Sequence, residues 1–158
     1  MMARIAENVE QSEDFPYNKL LDTDFEQSQP NAQVITSAIS RATVVLSMAS
    51  NAAAILSSTE SGRTARIVAR HRPKVPLLGI TPFPSTARRM QLMWGLNSIV
   101  VEAFHHTDEM IQTMMRAAFE RHHVEIGDNV VLTAGIPLEV HGVTNMVKVH
   151  TIRDMDLA

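Results

Sequence analysis

The stretch AAAILSSTESGRTARIVARHRP, residues 52–73, decides how this chain is read. Residues 52–57 are short and apolar and run into the hydroxyl cluster Ser57, Ser58 and Thr59, the pattern of a strand buried on both faces of a parallel sheet. From residue 62 to residue 72 the period changes. Ala65, Val68 and Ala69 fall on one side of a helix, Arg63, Arg66 and Arg70 fall on the other, and Pro73 stops it. The loop between strand and helix, residues 57–64, is where chemistry is expected. Hydroxyl groups meet the free N–H groups of a helix start there, and Gly62 lets the backbone approach a ligand, which together make a phosphate cradle. Arg63 adds a charge-assisted fork, while Glu60 puts a negative charge into the same loop. The competing reading is that Thr59 or Ser61 merely caps the helix and Glu60 favours its dipole; residue types alone favour the cap. The segment carries neither a Walker P-loop nor a dinucleotide fingerprint.

The strand–helix cadence recurs on either side. Residues 75–81 (VPLLGIT) predict a second strand, which leads into a helix over 86–94 with Ser85 as its expected N-cap. Residues 98–104 hold a third strand centred on Ile99, Val100 and Val101. Thr107, Asp108 and Glu109 then open a helix whose face carries Met110, Ile111, Met114, Met115, Ala118 and Phe119. Residues 128–134 and 146–152 read as two final strands, joined by GIPLEVHGVTN (135–145), a hairpin-like loop too short for a crossover helix. Upstream, Val34, Ile35, Ala38, Ile39, Ala42, Val45, Leu46 and Ala49 form an apolar stripe at helical spacing, so a long amphipathic helix is expected over 31–49 with Pro30 near its first turn. Residues 11–30 are polar and without period, a linker or arm, and Met2, Ile5, Ala6 and Val9 make residues 1–10 the end of another helix. The expected fold is therefore an α/β three-layer sandwich over 31–158, with a mostly parallel five-stranded sheet, an antiparallel edge strand and helices on both faces. Ligands of such sheets sit beyond the carboxyl ends of the strands, which singles out the loops 57–64, 81–86, 104–108 and 135–145.

Composition narrows the function classes. At 158 residues the chain is one ordinary domain with at most a short appendage, large enough to bury a real core. Aromatic residues are 4% and Met reaches 10 residues, so that core must be Ala, Val, Ile, Leu and Met. The absence of Cys excludes a disulfide scaffold, a thiolate nucleophile and a Cys-based metal site. A net charge of −3 argues against nucleic acid as a partner. Neither a run of about 18 apolar residues nor a signal-peptide core is found, so no membrane partner and a cytoplasmic location are expected.

The blocks STESGRTARIVARHRP, PLLGITP, ARRMQLMWGL, TDEMI, GDNVVLTAGIP and GVTNMVKV, in this order and spacing, resemble the C-terminal domain of pyruvate kinase over residues 31–152, and MMARIAENVE looks like the last helix of that enzyme's catalytic barrel. The resemblance implies a regulatory and oligomerisation domain of an enzyme that converts phosphoenolpyruvate and ADP to pyruvate and ATP in the last step of glycolysis. In the family the substrate clamp and the Mg²⁺ and K⁺ sites lie in the barrel, outside this chain. The chain is thus expected to carry no cofactor, metal site or catalytic residue of its own, and to be silent alone. Its implied partners are a phosphorylated small-molecule effector, further copies of itself and the remaining pyruvate kinase domains. Carried over by position, Thr59, Ser61, Gly62, Arg63 and Thr64 would hold the effector phosphate, and the loop bearing Gly135, Gly142, Thr144 and Asn145 would close over it.

Members activated by fructose 1,6-bisphosphate often have a Lys where Glu60 stands, and an aromatic and an Arg near the positions of Ala103 and Met110. Those departures speak against fructose 1,6-bisphosphate and leave a singly phosphorylated sugar, a nucleotide monophosphate or no effector as the alternatives, since some relatives respond to those and some to nothing. Two other readings stand beside this one: a free-standing small enzyme of phosphate-ester chemistry using Glu60 as base, and an inert interaction module whose loop is empty. The His residues at 71, 105, 106, 122, 123, 141 and 150 have no metal-ligand spacing and are expected on the surface. The Met face of 110, 114 and 115 is expected to be core, and Trp94 to pack at a helix end. Self-association is expected through the helix 31–49 and the edge strand 146–152.

Overall fold

A computed structural model describes residues 4–5, 8–9, 31–138 and 143–157. Arg4, Ile5, Asn8 and Val9 are helical, and the expected arm over 11–30 lies outside the described residues. The elements are α1 (Asn31–Ala49), β1 (Ala54–Ser58), α2 (Arg63–Ala69), β2 (Leu77–Thr81), α3 (Pro84–Met90), β3 (Leu96–Val100), α4 (Thr107–Glu120), β4 (Asn129–Ala134), β5 (Met146–Thr151) and a 3₁₀ turn (Asp154–Asp156). The strands lie in the order β3-β2-β1-β4-β5. All pairs are parallel except β4 with β5, so the expected α/β fold with its antiparallel edge is the one found. Strand order reverses at β1: the chain runs outward through β2 and β3, then returns to place β4 on the other side of β1.

Alternation within the strands builds two cores. Leu78, Leu56 and Leu132 stand in register across β2, β1 and β4 and pack with Met110, Met114 and Met115 of α4. Leu77, Ile55 and Val131, the adjacent row, pack on the other side with Val44, Ala65, Val68 and Met90 from α1, α2 and α3. The Met face of α4 is core, as expected, and so are Ala65, Val68 and Ala69 of α2.

Several boundaries differ from expectation for local reasons. β1 begins at Ala54, where pairing with Val130 starts, and it includes Ser58. α2 ends at Ala69 rather than 72, since the chain leaves helical geometry and Arg72 adopts φ +46°. α3 begins at Pro84, with Phe83 and not Ser85 as N-cap, because proline at the first helical position needs no N–H partner and arrives with helical φ. The third strand is shifted to 96–100 by its register with β2, although the Val101 amide still reaches the Thr81 carbonyl at 3.1 Å. Trp94 is 43% exposed after α3, with the Arg72 guanidinium 5.1 Å from its ring centroid.

The largest correction concerns α1. Its apolar stripe is not the face laid most deeply on the sheet: Ile35 and Ala49 are exposed and the remaining six members are half-buried, Leu46 among them against the core. The buried face is Thr36, Ser40, Thr43, Val44 and Ser47. Hydroxyls can line that face because they bond to their own helix. Ser40 donates to the Thr36 carbonyl at 2.7 Å, Thr43 to Ile39 at 2.8 Å and Ser47 to Val44 at 2.8 Å, so these three hydroxyls are answered within the helix. By length and mean hydropathy (1.3 over residues 32–49) this helix could cross a membrane, yet its hydroxyl face lies on the sheet.

One buried hydroxyl among the described residues has no partner, Ser57 Oγ at the centre of β1. Burying an unanswered hydroxyl is unfavourable, so Ser57→Ala should leave stability unchanged or raise it by about 1 kcal/mol in urea unfolding. A comparable loss would reveal a partner.

Candidate functional site

The loop from β1 to α2 and the loop from β4 to β5 meet at the carboxyl edge of the sheet, beside the pair of strands where strand order reverses. Between them lies a cavity of about 200 Å³ lined by Ser58, Thr59, Glu60, Ser61, Arg63, Thr64, Phe104, Gly135, Leu138, Val143 and Thr144. Of the sequence-predicted residues, Thr59, Ser61, Arg63 and Thr64 share this cavity with Gly135 and Thr144. Gly62 shapes the loop from beneath: it is the N-cap of α2 at φ +81°, and a Cβ there would stand 3.2 Å from Met90 Cγ.

The loop answers part of its own backbone. Thr59 Oγ1 accepts the Gly62 amide at 2.9 Å, and Ser61 Oγ accepts the Arg63 amide at 3.4 Å. These two amides are therefore not simply open to a ligand, but neither Thr59 nor Ser61 is the N-cap: Gly62 occupies that position and no side chain caps it. Thr86 of α3 braces the loop, donating to the Glu60 carbonyl at 2.8 Å while accepting from Arg89 at 3.0 Å. Glu60, Ser61 and Arg63 are exposed at the mouth, and Thr59 and Thr64 form the buried wall.

Thr144 fastens the second loop. Its hydroxyl pairs with Thr64 Oγ1 at 2.8 Å, and its amide donates to Thr36 Oγ1 of α1 at 3.2 Å. All three residues are buried. Asn145 is not in the cavity wall; its side chain is turned back onto the main chain of Ile136, accepting the amide at 2.8 Å and donating to the carbonyl. Gly142 lies outside the described residues. Gly135 sits so close to Val143 that a Cβ would collide with its carbonyl oxygen.

Sequence reasoning missed Ser58, Phe104, Leu138 and Val143 as wall residues. Phe104 had a signal, since it is an aromatic just ahead of α4 and one residue past Ala103, where a stacking ring was sought. Met110 is buried in the core and does not line the cavity. Among the described residues, Arg63 and Glu60 are the ionisable side chains on the wall.

Among the described residues no three His, Asp or Glu side chains stand together as a metal site. His105, His106 and His122 are exposed, His71, His123 and His150 are half-buried, and His141 lies outside the described residues. The His105 amide, 2.8 Å from Glu109 Oε2, leads the influences that hold the Glu109 carboxyl below its ordinary range. At the far end of β5, the Asp156 carboxylate is lowered first by its 2.8 Å bond to His150 Nε2.

The family model described as pyruvate kinase, alpha/beta domain, matches residues 37–150. The chain is 36% identical over 151 residues to a pyruvate kinase of Clostridium acetobutylicum, covering 96% of this chain and 31% of that protein. It is 37% identical over 153 residues to pyruvate kinase 2 of Synechocystis (97% and 24%) and 35% identical over 130 residues to a pyruvate kinase of Geobacillus stearothermophilus (82% and 22%). The chain thus spans between about a quarter and a third of the length of these relatives.

Proposed function

The chain belongs to the pyruvate kinase family as its C-terminal alpha/beta domain, and from that membership we propose that it serves the enzyme as a regulatory and contact domain. In this reading it binds a phosphorylated small-molecule effector, is not catalytic alone and works in the cytoplasm. The observation that carries the effector role is the gathering of Thr59, Ser61, Arg63 and Thr64 with Thr144 in one cavity at the sheet's point of reversal. A cavity of about 200 Å³ suits a phosphate group with a small portion of its ester more than a long bisphosphate. Glu60 at the mouth disfavours a second dianion for the same reason. Contact with other copies or with the remaining pyruvate kinase domains is supported by Ile35 and Met48 of α1, large apolar side chains that are 46% and 40% exposed.

Titration of the purified chain with ribose 5-phosphate and with AMP tests the effector role. Amide signals of residues 59–64 and 143–145 should move and saturate. Arg63→Gln should weaken binding about 10- to 100-fold, the loss of a charge-assisted hydrogen bond of about 1.5–3 kcal/mol. Unmoved signals would favour the inert module. That second reading draws on one observation, the engagement of the Gly62 and Arg63 amides by the loop's own hydroxyls.

A further inference from the structure

The arginines of α2 do not all serve the cavity just described. Arg63, Arg66 and Arg70 lie three, four and seven residues apart, so their side chains share one face of the helix. That face turns toward the first turns of α1. Between the two helices opens a cleft of about 690 Å³ lined by Gln33, Thr36, Ser37, Arg63, Arg66, Ile67, Arg70 and His71. Its volume falls within the range of small-molecule sites.

The charge on its walls is one-sided. Among the described residues no carboxylate lines the cleft, and none of the three guanidinium groups forms an ion pair with a described residue. Like charges at helical spacing repel one another, and a protein that gathers three of them on a concave wall lowers that repulsion when an anion enters. The other polar wall groups suit the same guest. Gln33 and Ser37 bring an amide and a hydroxyl, and Thr36 Oγ1, which accepts the Thr144 amide, keeps its own proton to donate. Burial comes first in lowering the basicity of His71, but the positive fields of Arg70 and Arg41 add to it, as expected where cationic charge is concentrated.

We propose that the cleft between α1 and α2 is a second anion site, distinct from the loop cavity, which takes a compact multivalent oxyanion of the phosphate or phosphate-ester class on Arg66 and Arg70 with donors from Gln33, Thr36 and Ser37. Planar guanidinium forks match such oxygens in pairs, and the hydroxyl and amide donors supply the rest of its shell. Arg63 lines both cavities, so it is shared between the two sites and cannot separate them. Arg66 and Arg70 line the cleft and not the loop cavity, which makes them the discriminating pair.

The test is titration of the full chain with inorganic pyrophosphate at constant ionic strength, read by amide signals. Saturable shifts are expected at residues 33–37 and 66–71. The double variant R66Q/R70Q should weaken those shifts at least about tenfold, while residues 59–64 and 143–145 keep whatever response they have in the parent chain. Both residues are exposed, and an unchanged melting temperature checks that the variant folds. R66K/R70K should bind with intermediate strength, because it keeps charge but loses the fork. Shifts confined to 59–64 and 143–145 would overturn the second site and leave the loop cavity standing. Shifts at 33–37 and 66–71 that survive R66Q/R70Q would overturn it as well. A cleft that responds to pyrophosphate while residues 59–64 and 143–145 stay silent to ribose 5-phosphate and AMP would instead sink the effector reading alone.

Discussion

Leu56→Ala should destabilise the domain by about 2–5 kcal/mol, the cost of deleting buried methyl groups from a site that cannot collapse around the gap. Leu56 is fully buried at the centre of the central strand, with Leu78 on one side and Leu132 on the other in the same register row. Hydrogen bonds to both neighbouring strands fix its backbone, so the row cannot close over the lost volume. In urea unfolding the midpoint should fall with little change in slope, the signature of lost stability rather than a changed unfolded state. Leu92→Ala is the matched control: Leu92 is 90% exposed, and its truncation should stay within about 0.5 kcal/mol of the parent. Equal effects at the two positions would contradict the placement of the core.

Gly135→Ala should close the loop cavity. The added methyl group would be driven into the Val143 carbonyl oxygen, so the backbone itself must give way. That backbone has little freedom nearby. Thr144 is bonded to Thr64 and to Thr36, Asn145 to Ile136, and the Asn145 amide to the Ala134 carbonyl at 3.2 Å. Overpacking of this kind costs about 1–3 kcal/mol. The larger consequence is local: the Thr64–Thr144 contact should break, and the response of residues 59–64 to ribose 5-phosphate should disappear. Retention of the wild-type response in a folded Gly135→Ala protein would mean that the second loop takes no part in the site.

The parallel sheet was legible because strands buried on both faces read as unbroken apolar runs, LLGIT and NVVLTA among them, and because each helix between them carried its own period. The position of the loop 59–64 was legible for a related reason, since it falls between the end of a buried strand and the start of a helix, while residue types alone favoured a cap there over a cradle. α1 misled because hydropathy records only which residues dislike water. It does not record that Thr36, Ser40, Thr43 and Ser47 are small enough to let a helix settle closely on a sheet. Nor does it record that three of them carry their hydrogen-bond acceptors with them, in carbonyls of their own helix. The wall residues Leu138 and Val143 could not be read from spacing, since they reach the cavity only through the path of the loop between β4 and β5. The cleft between α1 and α2 was invisible for the same reason: Gln33 and Arg70 are brought together by two helices packing side by side on one face of the sheet and by no local pattern.

The tie formed by Thr36, Thr144 and Thr64 has a consequence for a protein without a single cysteine. Where a secreted domain would rivet such a loop with a disulfide, this chain uses a latch of hydroxyl and amide groups, each bond contributing about 1 kcal/mol. A latch of that strength ignores the redox state of its surroundings and re-forms without an oxidant, so the hold of Thr144 on α1 and α2 is the same in a reducing medium as in an oxidising one.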